Sequence, residues 1–593
     1  MIKRKIDRVL SEGEGKQLAW LTGIVLALFV IFYIIGKALW GLDWTDILTL
    51  YLDPGNFPID HRANDYFSLT VTLCGILILS ALMISVFSNV FSNIAEAYRK
   101  GERRYRFDGH VLIIGSNHML EDMLRAIGAD SRFDGRDIVV MTEADVEPLR
   151  EEMDTRLDDS RLTARITWYR SDRRSRGHLL EARADRASAI YLIGEEDENG
   201  HDALNIACLD LLRDICAGPG PAIPCFVTLD MHSSLDVFNH MPRETASRLR
   251  AEIVNTSDYA AEQLLVNTGF LPVPGPDEDR YLHLVIAGST DTARAFAQVA
   301  AQICHFPGFA SRGLRTRITF LDSGMRAAMD NYTANHQGLF ELSRYSYVTP
   351  DGREDFKPGR RSGDFLDVEW EFVDSYISSP FARKLLCEWA ADPARMLVVA
   401  LCFDDSAVNA SAALHLPKDL YRAGIPIAVY LKEHPELMEK AISTGRFGGI
   451  RCFGEACPGS DPLFARRSLH GKRVNYLYNL EYGNPPSANA DEAWAGISHA
   501  HKFSSIASAN SIPLKLRAFG LEATRESIDS LSADILESLS EVEHRRWMLS
   551  VLLMGNSEHP DIVPYSKLAH EADKDRLIVN NIPYIINNEA IVR

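Results

Sequence analysis

The chain has 593 residues, enough for about four domains of ordinary size, each with its own core. Lys and Arg number 63 against 81 Asp and Glu, a formal net charge of −18, so the basic footprint of a general DNA or RNA binder is missing and no nucleic-acid partner is expected. A hydrophobic fraction of 46% with 24% charged residues excludes wholesale disorder, collagen and a disulfide miniprotein, but such averages hide local membrane segments.

Two such segments stand near the start. Leu18 to Gly36 is 19 residues without a charge, and Tyr66 to Ala95 is 30. Each is long enough to cross ~30 Å of hydrocarbon at ~20 residues per crossing. The first exceeds the apolar core of a signal peptide and no small-x-small cleavage site follows it, so two transmembrane helices are predicted. Lys3, Arg4, Lys5, Arg8 and Lys16 precede the first; Arg99, Lys100, Arg103, Arg104 and Arg106 follow the second. Asp43, Asp46, Asp53, Asp60 and Asp65 lie between them. Basic flanks stay inside, which predicts a multi-pass membrane protein with both termini cytoplasmic and a cytosolic body from about residue 107 onward.

Within the loop, Trp44 to Leu52 reads as a helix of ~13 Å, too short to cross. Asp53-Pro54-Gly55-Asn56 follows as a turn. This is the layout of a re-entrant pore loop over 44–57, with Thr49, Asp53, Pro54, Gly55 and Asn56 along the ion pathway; the plain alternative is an extracellular connector. The second helix carries Ser85, Ser88, Asn89, Ser92 and Asn93 on one face. Such a stripe either bonds helices together or lines water, and Ser85, Asn89 and Ser92 are assigned to the pathway on the second reading. Gly75 is a candidate hinge.

The body reads as two strand–helix alternations. HVLIIG (110–115), DIVVMT (137–142), RITWY (165–169), AIYLIG (189–194) and PCFVTLD (224–230) are strands, with helices at 117–127, near 177–186 and at 201–215. After a linker at Leu271–Asp279 the pattern restarts with HLVIAG (283–288), RITFLD (317–322), VEWEFVD (368–374), MLVVALCF (396–403) and IPIAVYL (425–431). The alternation predicts α/β, doubly wound parallel sheets in two Rossmann-like copies of ~160–200 residues. The phosphate turns are Gly115-Ser116-Asn117 and Gly288-Ser289-Thr290, without the full G-x-G-x-x-G. Glu143 and Asp322 end the second strands, where an acid can hold a ribose. Gly115, Asn117, Glu143, Gly288, Thr290 and Asp322 are therefore the candidate nucleotide-binding residues; a scaffold without ligand is the other reading. The nine cysteines, scattered through apolar runs, read as reduced, buried thiols.

A membrane hairpin, a basic linker and two Rossmann-like units together resemble ligand-gated channels with regulator-of-conductance (RCK, TrkA-N) domains. More narrowly they resemble the plant Castor/Pollux cation channels and their bacterial relatives. The filter there runs Asp, small residue, Gly, Asn, His; this chain has Asp53-Pro54-Gly55-Asn56-Phe57 and departs at Pro54 and Phe57. ISVFSNVFSNIAEAYRKG (84–101), HVLIIGSN and IVVMTEAD (138–145) carry the rest of the likeness. The resemblance implies a homotetramer in a lipid membrane, of the inner-membrane kind, with an eight-unit RCK gating ring. Asp53 would form a ring of four carboxylates facing the permeant cation, the one metal-facing residue, with potassium and calcium both open.

EYGNPPSANAD (481–491) is a second linker, and Ser532 to Met554 is one amphipathic helix. It holds Glu543-His544-Arg545-Arg546-Trp547, followed by Gly555, His559-Pro560-Asp561-Ile562-Val563-Pro564-Tyr565, Asp575-Arg576 and Asn581-Ile582-Pro583. That order resembles the ryanodine-receptor (RyR) repeat domain, mostly helical, over 492–590. It implies a small-molecule anionic ligand at Glu543, His544, Arg546, Trp547, Pro564, Tyr565 and Arg576; Trp547 as core with Glu543–Arg546 as a local pair is the packing alternative.

The domains are thus expected at 1–106 (pore), 107–270 and 281–480 (RCK-like units) and 492–590 (RyR-like). The reading is a ligand-gated cation channel that is not an enzyme, with no covalent cofactor, a regulatory nucleotide, and potassium or calcium as permeant ion. A membrane-anchored nucleotide sensor without its own pore is the alternative. The Rossmann-like units carry neither a Tyr-x-x-x-Lys nor a nucleophile elbow that would point to catalysis.

Overall fold

The fold is taken from a computed structural model that describes residues 14–52, 65–196, 200–231, 234, 247–267, 269–358, 364–432, 436–443, 445, 447–454, 463–464, 467–568 and 572–592. It divides into two compact units, Met1–Arg103 and Arg104–Arg593.

Among the described residues the first unit has three helices, α1 (Glu14–Trp40), α2 (Trp44–Leu52) and α3 (Asp65–Arg99). Ile47, Leu50 and Tyr51, three and four residues apart, give α2 one apolar side, which is buried with Val71 against Val25, Phe29, Phe32, Tyr33 and Phe67 of the long helices. Gly75 is required by this packing: a Cβ there would stand 2.1 Å from the Tyr51 carbonyl oxygen. Gly36 likewise lies under Ile47. Among the described residues, no helix is long and apolar enough to cross a membrane.

The second unit holds both sheets. In the first, β1 (Val111–Ile114), β2 (Ile138–Thr142), β3 (Ile166–Arg170), β4 (Ala189–Leu192), β5 (Ile223–Leu229) and β6 (Leu249–Asn255) run parallel in the order β3-β2-β1-β4-β5-β6. Val111 and Ile113 enter one core while Leu112 and Ile114 enter the other, which is why the strand is a continuous apolar run. The second sheet adds β7 (Tyr281–Ala287), β8 (Thr316–Asp322), β9 (Arg344–Thr349), β10 (Gly352–Phe356), β11 (Val368–Asp374), β12 (Arg395–Leu401), β13 (Ile427–Tyr430) and β14 (Ile450–Phe453). Its order is β10-β9-β11-β8-β7-β12-β13-β14. Without β9 and β10 it repeats the first sheet strand for strand; only the β9–β10 pair is antiparallel. The two Rossmann-like α/β sheets agree with the fold class expected from sequence.

The end strands β6 and β14 and the β9–β10 hairpin go beyond that expectation. Linker Leu271–Asp279 forms no regular element, yet Leu271 is buried and its carbonyl accepts from Arg517. Among the described residues five cysteines are buried and free, and burial pushes the Cys208 thiol up to about 12.

A helical layer follows: α8 (Leu469–Tyr482), α9 (His499–Phe519), α10 (Ala533–Leu553), α11 (Ala572–Asn580) and α12 (Ile582–Asn587), where α4 (Leu120–Ala129), α5 (His201–Ile215), α6 (Asp291–Ile303) and α7 (Ser406–His415) are crossover helices of the sheets. Val474 and Leu477 of α8 share a core with Ile512, Leu516, Leu539, Ile578 and Ile585, so this layer begins before 481–491. Its other side joins the second sheet's core through Leu514, Met548, Leu549 and Leu552. Ser532 caps α10 by accepting from the Ile535 amide.

Candidate functional site

Rossmann-like sheets place ligands at the carboxyl ends of their strands, where the turn after the first strand meets the end of the fourth. Both sheets bring the same parts together there. Gly115 has φ +104° and Gly288 φ +119°. A Cβ on Gly115 would lie 2.1 Å from the Gly194 oxygen, and one on Gly288 2.6 Å from the Cys402 oxygen. Two residues on, the Asn117 amide donates to the Ile193 carbonyl at 3.0 Å and the Thr290 hydroxyl to Cys402 at 2.6 Å. Asn205 and Asn409, both fully buried, repeat each other as well. Each donates to the carbonyl closing the fifth strand of its sheet, Thr228 and Tyr430, at 3.0 Å. These side-chain contacts, 173 positions apart at the glycines and 204 at the asparagines by residue number, are the physical signature of duplication.

Asn117 and Thr290 thus tie the turn to the fourth strand. Thr290 additionally caps α6 by accepting from the Ala293 amide at 3.1 Å. Glu143 and Asp322 stand at the ends of β2 and β8 as expected, but are used differently. Asp322 accepts the Ser289 hydroxyl at 3.0 Å and the Ser323 amide at 2.8 Å, tethering its own turn. The Glu143 carboxylate lies 3.7 Å from the Arg174 guanidinium, while its backbone amide donates to Glu195 at 2.8 Å.

Glu195 and Glu196 are residues that the sequence reading passed over. The Glu195 carboxylate accepts from the Ser116 amide (3.2 Å), the Ser116 hydroxyl (2.8 Å), the Thr142 hydroxyl (2.8 Å) and the Glu143 amide. Glu196 accepts from the His118 amide at 2.5 Å, and its contact with the His118 ring holds its carboxyl below the usual range. An acidic pair just past a fourth strand, opposite a one-glycine turn, was the signal available. His201, Asp202 and Asp230 also bring three ligating atoms within 4.8 Å, but the Asp202 oxygens accept the amides of Asp230 and Met231 and so close the end of β5.

Of the pathway residues, Thr49 lies on α2, its hydroxyl donating to the Thr45 carbonyl. Ser85, Asn89 and Ser92 lie on α3, with Ser92 exposed; the side chains of Ser85 and Asn89 are outside the described residues. Asp53, Pro54, Gly55 and Asn56 also lie outside them.

In the helical layer Glu543 is fully buried, ion-paired with Lys515 and Arg546 and accepting from Ser508 at 2.8 Å. Burial opposes its ionisation, but Arg546, Lys515 and Ser508 outweigh that and hold the carboxyl at about 2. Burial pulls the Lys515 ammonium down; the carboxylate stays ionised because Arg546 keeps its charge at any working pH. Arg546 spends its remaining donors on Ser550 and the Ser504 carbonyl. His544 contacts Asp575 at 3.4 Å and the Val563 carbonyl at 3.0 Å, stacks on Trp547 at 5.6 Å and meets the Tyr565 ring at 5.9 Å. Trp547 meets His559, a residue outside the expected set, edge to face at 5.0 Å. Pro564 precedes the turn that carries Tyr565, and Arg576 pairs with Glu537 and Asp573 on the surface. The expected set therefore splits into a buried ionic group (Glu543, Arg546), an aromatic group (His544, Trp547, Tyr565) and a surface arginine.

Neither a protein-family model nor a curated protein matches this chain. Solved structures align with it at low identity. GsuK bound to ADP aligns at 14% identity over 74% of this chain and 95% of that one, with a TM-score of 0.36. The GsuK channel bound to NAD aligns at 13% identity over 75% and 81%, also at 0.36. The GsuK RCK domain aligns at 11% over 61% and 79%, at 0.30. At these TM-scores the likeness carries no argument, and the Rossmann-like assignment rests on strand order and pairing.

Proposed function

We propose that the chain is the subunit of a ligand-gated cation channel that assembles as a homotetramer in a membrane. The observation that carries this is α2. A nine-residue helix lies packed between two helices of 27 and 35 residues, its last turn against Gly75 in the interior of α3. A short helix held inside a hairpin and followed by Asp-Pro-Gly-Asn is the geometry a pore loop needs. The long helices also expose large apolar side chains, among them Leu26, Ile34, Leu77, Ile84 and Phe91, which lipid or neighbouring subunits would cover.

The body is the sensor in this reading. Two Rossmann-like sheets per chain would give eight units in a tetrameric ring, and a regulatory nucleotide that binds one arrangement of the ring better than the other shifts the gate. The segment at the start of the second unit is fastened to the first sheet: Arg104 lies over the Tyr169 ring at 4.6 Å and donates to the Arg170 carbonyl and the Ser171 hydroxyl. The helical layer, resembling an RyR repeat, offers a second place for a small ligand around His544, Trp547 and Tyr565.

The test combines oligomeric mass in detergent with cation flux from proteoliposomes for the wild type and Asp53→Asn. A tetramer whose divalent block and selectivity change in Asp53→Asn supports the channel. A monomer or dimer without flux leaves the membrane-anchored nucleotide sensor as the function.

A further inference from the structure

The phosphate turn of the first sheet is already occupied by the chain itself. One carboxylate, Glu195, takes the amides of Ser116 and Glu143 and the hydroxyls of Ser116 and Thr142; the next, Glu196, takes the amide of His118. A planar anion with two acceptor oxygens is the same kind of ligand that a diphosphate presents to backbone amides at a helix start. In the second sheet the matching groups are held from within: Asp322, at the end of β8, accepts the Ser289 hydroxyl and the Ser323 amide, and among the described residues no acid from beyond the fourth strand reaches them. After β12 the chain sends Asp405 forward to cap α7, accepting from Ala407 and Val408. Among the described residues no carboxylate bonds the amides of Ser289, Thr290 or Asp291. The two units thus differ in how the turn is filled: in the first, acids from beyond the fourth strand take the amides of Ser116 and His118, and in the second the amides of Ser289, Thr290 and Asp291 take no carboxylate among the described residues.

We propose that Glu195 and Glu196 are a built-in competitor for the phosphate seat of the first unit, so that a nucleoside diphosphate enters it only by displacing them. The inference rests on the nucleotide regulation proposed above and specifies the movement the ligand drives. Gly194 lies against Gly115 on one side and the His201 imidazole on the other, with a Cβ position 2.4 Å from that ring. Withdrawing residues 194–196 from the turn therefore disturbs the start of α5, whose Asp202 holds the amides of Asp230 and Met231 at 2.8 and 3.0 Å. Displacement of the competitor and a shift of α5 against β5 are one event, and the empty unit is locked in the arrangement described here.

The test is hydrogen exchange of the full-length protein in detergent with and without ADP. It compares wild type, the double variant Glu195→Gln with Glu196→Gln, and the double alanine variant in case glutamine keeps the turn closed. Thermal unfolding verifies that the variants fold. The expected result is protection of peptides over 111–124 by ADP in a double variant at about tenfold lower concentration than in wild type. Equal protection of that segment in wild type and variants overturns the inference. So does its absence in all three while ADP protects another part of the chain. No ADP protection anywhere in any protein removes the nucleotide reading itself, and this inference with it.

Discussion

Replacing Arg545 by Met should loosen the helical layer from the second sheet. Its side chain is 3% exposed, its guanidinium stands 3.2 Å from Asp367, itself 3% exposed, and it donates to the Phe306 carbonyl at 3.2 Å. It also lies 5.3 Å from the Phe309 ring centroid. Burial works against the Asp367 charge, but His305 at 2.8 Å and Arg545 hold its carboxyl below the usual range. Removing one partner of a buried pair costs about 3–5 kcal/mol, because the other charge stays buried. The contact of His305 with the Asp367 carboxylate at 2.8 Å remains in the variant, which places the expected loss at the lower end, about 3 kcal/mol. That corresponds to roughly a hundredfold faster hydrogen exchange in α10 and around Phe306 if both open together. Adding Asp367→Asn removes the stranded charge, so the double variant should recover most of the loss. Unchanged exchange in Arg545→Met, or losses that add within about 0.5 kcal/mol across the double-mutant cycle, would refute the coupling.

Three further outcomes follow from the same geometry. Gly75→Ala pushes a Cβ into the Tyr51 backbone, so the first unit should lose thermal stability in detergent, whereas Gly23→Ala, with nothing within 4 Å, should be neutral; equal effects would count against the packing of α2. Glu543 has a folded-state value of about 2 against an ordinary 4.5, so its stabilisation is complete above about 4.5 and fades as the pH falls toward 2. Exchange protection in α10 measured between pH 5 and 3 should fall in wild type and lose that component in Glu543→Gln; identical slopes contradict the buried ion group. Asn205→Ala and Asn409→Ala each leave a strand-end carbonyl without its donor and should each cost about 1–3 kcal/mol in denaturant titrations followed by local exchange, with clearly unequal costs arguing against equivalent roles.

Strands were legible because burial on both faces forces runs such as VLII and LVIA, which have no solvent side to interrupt them. The helix of 532–554 was legible from its spacing, and the structure adds only the Ser532 cap. The β9–β10 hairpin was missed although Pro350-Asp351-Gly352 marks its turn, because β9 is mostly half-buried, β10 is mostly exposed and neither has an apolar run. Strand β14 buries only Ile450 and Phe453 around an exposed Arg451 and was too short to stand out. At the candidate site the turn glycines and strand-end acids were legible as positions, whereas their use was not. Whether Asn117 meets a ligand or the Ile193 carbonyl depends on a partner 76 residues away. The Glu195 seat and the Arg545–Asp367 pair depend in the same way on tertiary approach, which no local pattern encodes.

The central claim is a cation pathway, and the most direct measurement is current through purified protein in a planar bilayer under a potassium or calcium gradient, with nucleotides added to one side. The account predicts discrete openings that reverse near the cation equilibrium potential and change frequency with nucleotide. Silence under every gradient and nucleotide, from protein shown to be inserted, would contradict it.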